Sequence, residues 1–195
     1  MPKLQLPLKD LNLLRYPAGN VFQYFGENCN LYSKLLNSPS VCHNGIDAYT
    51  FEGDDVLAAH DGFVLKADHK TTSGNGVWLQ GKDCVTCYFH LKEIFVETGD
   101  IIKTGEVIGT EGNSGFIISG GTPYWDNAPA GKGVHLHFGV YPIDEYGKKI
   151  YLDNGQNGAV DPIPWLKNEE EAEAISAIDK AKKLIAQVLA YLKGR

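Results

Sequence analysis

Between Val21 and about Trp165 the chain consists of short apolar runs separated by glycine-containing turns, and this rhythm limits the fold more than any other feature. VLAAH, FVLKA, VWLQ and CVTCYFHL have strand length and fall short of a typical helix. No helical period is visible across the stretch. Asp61-Gly62, between VLAAH and FVLKA, reads as a two-residue hairpin turn. Gly81-Lys82-Asp83, between VWLQ and CVTCYFHL, reads as another. Gly99-Asp100, Gly105 and Gly109 punctuate IFVETGDIIKTGEVIGTEG at near-regular intervals. Many short strands joined by turns predict a mainly β domain, an antiparallel sandwich or barrel.

Three stretches depart from this rhythm. Residues 1–20 read as an N-terminal arm with a turn at Pro17-Ala18-Gly19-Asn20. Residues 116–134, FIISGGTPYWDNAPAGKGV, show no period and read as a long ordered loop that covers something. Residues 168–193 contain neither Gly nor Pro, with acids first and bases last, the order that suits a helix dipole. Asn168 is the expected N-cap, and Ala174, Ile178, Ala181, Ile185, Val188 and Leu192 form an a/d seam. This amphipathic helix either packs back on the domain or makes a coiled coil in a homo-oligomer. The expected division is an arm over 1–20, a domain over 21–165 and a C-terminal helix over 166–195.

A net charge of −6 argues against nucleic acid as the main partner, because phosphate binding needs clustered Lys and Arg. No apolar run is long enough for a transmembrane segment, and the first residues lack the pattern of a signal peptide. The four cysteines do not have the spacing of a four-Cys zinc site. Cys84 and Cys87 would point to opposite faces of one strand, which disfavours a bridge and suits buried thiols. Cys29 and Cys42 bracket a loop and either pair or stay free.

The histidines carry the chemistry. In VHLHFGVY, His135 and His137 project from one strand face while Leu136 and Phe138 enter the opposite layer. Such a pair is a bidentate metal platform, or one ligand beside one base. His43 and Asp47, in HNGID, offer a neutral nitrogen and an anionic oxygen, donors that zinc accepts. His90 ends the run CYFHL. His60 and His69 have no carboxylate at ligand spacing and read as ordinary surface or turn residues.

These motifs together resemble the lysostaphin-type, or LytM-like, zinc metallo-endopeptidases, a family of peptidoglycan hydrolases. The likeness runs from about Val21 to Val140 through VFQYFGEN, HNGIDAYTFEGDDVLAAHDGFV, GNGVWL, YFHL, VETGDIIKTGEVIGTEGNSG and HLHF. The resemblance implies a small antiparallel β domain with a groove over one zinc ion. It makes His43, Asp47 and His137 the ligands, and His90 and His135 the catalytic pair. His135, on the same strand face as His137, reads as general base and His90 as stabiliser of the oxyanion, with the reverse assignment open at the level of sequence. The implied substrate is the peptide part of peptidoglycan, with Tyr88, Tyr124 and Trp125 lining the groove. The stretch 116–134 is longer than the family pattern, so the groove wall should be particular to this chain. A non-catalytic wall-binding or virion module on the same β domain is the alternative. Action at the bacterial cell wall is expected either way.

Overall fold

The structure is a computed structural model and describes residues 3–35, 41–152 and 154–166. The expected C-terminal helix and its oligomer seam therefore lie outside the described residues. Twelve strands and two short helices are present among the described residues. In chain order they are β1 (Val21–Gln23), α1 (Cys29–Leu35), β2 (Ile46–Ala48), β3 (Asp55–Leu57), β4 (Gly62–Lys70), β5 (Gly74–Gln80) and β6 (Cys84–Leu91). Then come β7 (Glu93–Ile94), β8 (Ile101–Ile102), β9 (Val107–Thr110), β10 (Phe116–Ser119), β11 (Thr122–Trp125), β12 (Leu136–Pro142) and α2 (Ile163–Leu166).

The main sheet has seven strands in the order β1-β2-β12-β6-β5-β4-β8, and a three-stranded sheet has the order β3-β9-β7. Every pairing is antiparallel. The main core joins the two sheets: Val56 and Ile108 of the small one pack with Ile46, Val64, Leu79, Tyr88 and Phe138 of the large one. The N-terminal arm belongs to this core. Leu4, Leu8 and Leu11 are buried in it, the Leu4 amide donates to the Trp165 carbonyl, and Leu8 bridges to Val56. On the other face of the main sheet Val85, Cys87, Tyr141 and Ile143 form a second cluster. Strands β6 and β12 are thus covered on both faces, which explains their continuous apolar runs.

The Gly81 turn joins β5 to β6, with the Gly81 amide donating to the Cys84 carbonyl. Asp61-Gly62 is not a hairpin. β3 pairs with β9 in the small sheet and β4 with β5 and β8 in the large one, so this dipeptide carries the chain between sheets. Its residues serve packing. A Cβ on Gly62 would lie 2.2 Å from the Gln80 carbonyl oxygen, and Asp61 accepts hydrogen bonds from the Thr104 amide and hydroxyl. The stretch 116–134 is also more ordered than its composition suggests. It opens with the β10–β11 hairpin, whose turn is Gly120-Gly121, both at positive φ as a tight two-residue turn requires. α1 contradicts the absence of helix: at seven residues it is too short for a period to show. Cys29 at its start is bonded to Cys42, while Cys84 and Cys87 are buried free thiols.

Candidate metal centre and groove

Three neighbouring segments of the main sheet deliver the cluster. Asp47 on β2 and His137 on β12 are direct cross-strand partners, and His43 lies just before β2. His43 Nε2 stands 2.9 Å from Asp47 Oδ1 and 3.0 Å from His137 Nδ1, and His137 Nδ1 stands 2.9 Å from the same carboxylate oxygen. Each ring is held from outside. His43 Nδ1 donates to the Tyr24 carbonyl at 3.0 Å, which leaves the lone pair of neutral His43 on Nε2, facing the centre. The Tyr32 ring stacks on His43, and the Phe89 ring lies nearly parallel to His137. Gly45 makes room for the His137 ring: a Cβ there would be 2.8 Å from His137 Nε2.

Burial should raise the Asp47 carboxyl, but the surrounding histidines outweigh it and hold the carboxyl well below its usual range. Burial also disfavours a charged His43, yet the Asp47 carboxylate turns the balance and raises it. The cluster therefore favours a positive charge at its centre. Two imidazole nitrogens and one carboxylate oxygen, converging within hydrogen-bond distance of one another, are a donor set that zinc takes. His137 Nε2 is buried and has no partner among the described residues, which fits a ring whose working atom is Nδ1. A zinc ion held by these three donors would keep one position for water or substrate, as catalytic rather than structural zinc does.

His90 and His135 flank the cluster, with ring centroids 4.6 Å apart. Each donates Nδ1–H to a backbone carbonyl, His90 to Ser114 at 2.8 Å and His135 to Gly133 at 2.7 Å. Each neutral ring thus carries its lone pair on Nε2. His135 Nε2 is 3.9 Å from Asp47 Oδ1. Burial, then the neighbouring His135 and His137, push His90 down to about 3. Strict alternation along β6 would turn His90 away from Phe89. Instead β6 bulges against β5, where Asn75 pairs with Leu91 but Val77 pairs with Tyr88, and His90 takes a positive φ of 65°. Both side chains consequently reach the groove.

The groove has a volume of about 390 Å³. β1 and the β4–β5 turn lie on opposite sides of β12 and β6. Tyr32 of α1 joins the first through Gln23, and β10 joins the second through the Phe116 amide, which donates to the Thr72 carbonyl, while Leu31, Val41 and Ser73 complete the lining. Tyr88 does not line it. That side chain is fully buried in the main core, where its hydroxyl accepts from the Ala59 amide at 2.8 Å, because alternation along β6 turns it to the face opposite Phe89. Tyr124 and Trp125 sit on β11, the second strand of the hairpin, and the lining comes from Phe116, Ile117 and Ile118 on β10. His60 and His69 lie outside the cluster. His60 bonds to Thr86 Oγ1 and the Asp61 carbonyl, and His69 pairs with Asp126 at 3.0 Å, a carboxylate 57 residues away that spacing did not reveal. Tyr32, Gln23 and Phe89 were also missed. Gln23 Nε2 donates to the Tyr32 hydroxyl at 3.1 Å; Gln23 lies in the VFQYFGEN segment, but nothing in that segment marks it as facing the groove.

The model of peptidase family M23 matches residues 41–160 of the chain. Peptidoglycan DD-endopeptidase ShyC of Vibrio cholerae is 32% identical over 116 residues, 59% of this chain and 24% of that protein. Glycyl-glycine endopeptidase ALE-1 of Staphylococcus capitis is 30% identical over 129 residues, 65% of this chain and 29% of that protein. The chain thus spans under a third of the length of these curated relatives. Among solved structures, the catalytic domain of the antimicrobial peptidase lysostaphin from Staphylococcus simulans is 26% identical with a TM-score of 0.50, covering 65% of this chain and 80% of that one. The family match extends over more than half of the chain and takes in the three clustered donors and both flanking histidines, so this chain belongs to peptidase family M23.

Proposed function

We propose that the chain is a zinc-dependent endopeptidase that hydrolyses peptide bonds in peptidoglycan, with one zinc ion held by His43, Asp47 and His137. The observation that carries this reading is the placement of two Nε2 lone pairs, from His90 and His135, beside a three-donor cluster. A bound zinc ion supplies Lewis-acid polarisation of a carbonyl and eases ionisation of water. The chain's own groups handle protons and orientation. His135 Nε2 takes a proton from the attacking water and returns it to the leaving amine nitrogen. Asp47, 3.9 Å away, stabilises the imidazolium that exists between those events. His90 keeps its proton on Nδ1 against the Ser114 carbonyl, and its Nε2 accepts the second hydrogen of the same water. The scissile C–N bond breaks, the carbonyl carbon gains hydroxyl, and the amine gains the proton.

The described lining contains no Lys or Arg to pair with a terminal carboxylate, which suits cleavage within a peptide. The names of ShyC and ALE-1 point to two different wall bonds, a DD cross-link and a glycyl-glycine bridge. The test joins metal analysis to the fall in turbidity of purified cell walls. About one zinc per chain with wall clearance is expected, abolished by Asp47→Asn with loss of metal. His135→Ala should retain zinc and lose about 10²–10⁴-fold in rate. Intact walls under a zinc-loaded protein would overturn the reading.

A further inference from the structure

We propose that β10 gives the groove an apolar subsite that selects an alanyl over a glycyl cross-link, an inference that rests on the endopeptidase reading above. Phe116 and Ile118 are two residues apart on β10 and share one face. The Phe116 ring rests on that of its cross-strand partner Trp125, with centroids 4.2 Å apart. Ile118 is 42% exposed, a large apolar side chain at the lip of the groove. Ile117, between them, is buried.

This wall is anchored at its base. The Phe116 amide donates to the Thr72 carbonyl at 3.0 Å and the Asp126 amide to the Gly115 carbonyl at 2.9 Å. His69 Nε2 and Asp126 Oδ2, 3.0 Å apart, tie the far end of β11 to β4. The wall across the groove is also apolar in part, through Leu31 and Val41. Asp47 is the one carboxylate in the described lining, and it is committed to the metal cluster. The chemistry that fits such walls is an uncharged backbone bearing small aliphatic side chains. A D-alanyl residue presents a methyl group to Phe116 and Ile118, whereas a run of glycines presents none and leaves the wall wet. One methyl in an apolar pocket is worth about tenfold or more in kcat/KM.

The zinc-loaded protein is assayed on a D-alanyl cross-linked muropeptide dimer and on a pentaglycine-bridged muropeptide dimer. Purified sacculi of both wall types are digested in parallel. The expected result is a kcat/KM preference of about tenfold or more for the alanyl substrate. Ile118→Ser should bring the ratio toward one by lowering the alanyl rate, while Ile118→Val should keep the preference. Because Ile118 is well exposed, the serine variant does not threaten the fold. Equal or faster cleavage of pentaglycine, or an Ile118→Ser loss shared by both substrates, would overturn the subsite and leave the endopeptidase reading standing. No release from either kind of sacculus would overturn that reading, and the subsite with it.

Discussion

Glu111 is a carboxyl with no exposed surface, and it should give the protein a stability profile that falls with pH across the neutral range. Its carboxylate accepts hydrogen bonds from the Thr50 amide and hydroxyl, at 3.1 Å and 2.9 Å to Oε2. Burial nevertheless prevails and pushes its pKa from 4.5 up to about 7. The native state therefore binds more protons than the unfolded chain between about pH 4.5 and 7. Stability drops as pH rises through that window and levels off above it. A displacement of this size corresponds to about 3 kcal/mol. Glu111→Gln removes the titration. Its amide nitrogen faces groups that donate to the carboxylate, so an offset of about 1–3 kcal/mol against the variant is expected at pH 5. The informative quantity is the change in the difference between the two proteins. Urea unfolding at pH 5, 6, 7 and 8, both proteins zinc-loaded, should show the variant gaining about 2.5 kcal/mol relative to the parent, the rest of the displacement lying below pH 5. Other titrating groups cancel in this difference. Parallel profiles from pH 5 to 8 would refute the reasoning and mean that hydrogen bonding to the carboxylate fully offsets burial.

Three further outcomes follow from packing. Gly45→Ala places a Cβ 2.5 Å from the Phe138 carbonyl oxygen and 2.8 Å from His137 Nε2, so it should turn the ring and weaken zinc about 10–100-fold in a chelator competition. Cys29→Ser opens the covalent loop to Cys42, 13 residues away, and should cost about 3 kcal/mol in chemical denaturation, with the parent in reductant behaving alike. Tyr88→Phe leaves the buried Ala59 amide without its acceptor and should cost about 1–3 kcal/mol while wall clearance by the folded variant persists.

The β class was legible because it rests on short-range rules, and the grouping of His43, Asp47 and His137 because their motifs resemble those of a known family. Strands advertise themselves by turn-bounded apolar runs, and zinc accepts few residue types. What escaped depends on relations that no local window contains. Alternation was counted correctly for Leu136 and Phe138 but says nothing about which face of β6 meets the groove, so Tyr88 was placed on the wrong side. The bulge that lets Phe89 and His90 both reach the groove appears only when β5 is laid beside β6. Glycine was read as a turn residue at Gly62, where it serves the close approach of a neighbouring strand. The β10–β11 hairpin had a signal, the Gly120-Gly121 pair, that was outweighed by the irregular residues after it.

The pairing of Asp47 with His137 also sets an order of events. His43 and Asp47 are four residues apart and could meet early in synthesis, but their third partner lies 90 residues beyond Asp47. The complete donor set exists only once β12 has inserted between β2 and β6, the strands that form its two edges. Such long-range pairing comes late in folding. A chain still being made presents only the His43–Asp47 pair, and the three-donor cluster is assembled last. The three donors that would hold the proposed zinc thus come together only when the sheet has closed.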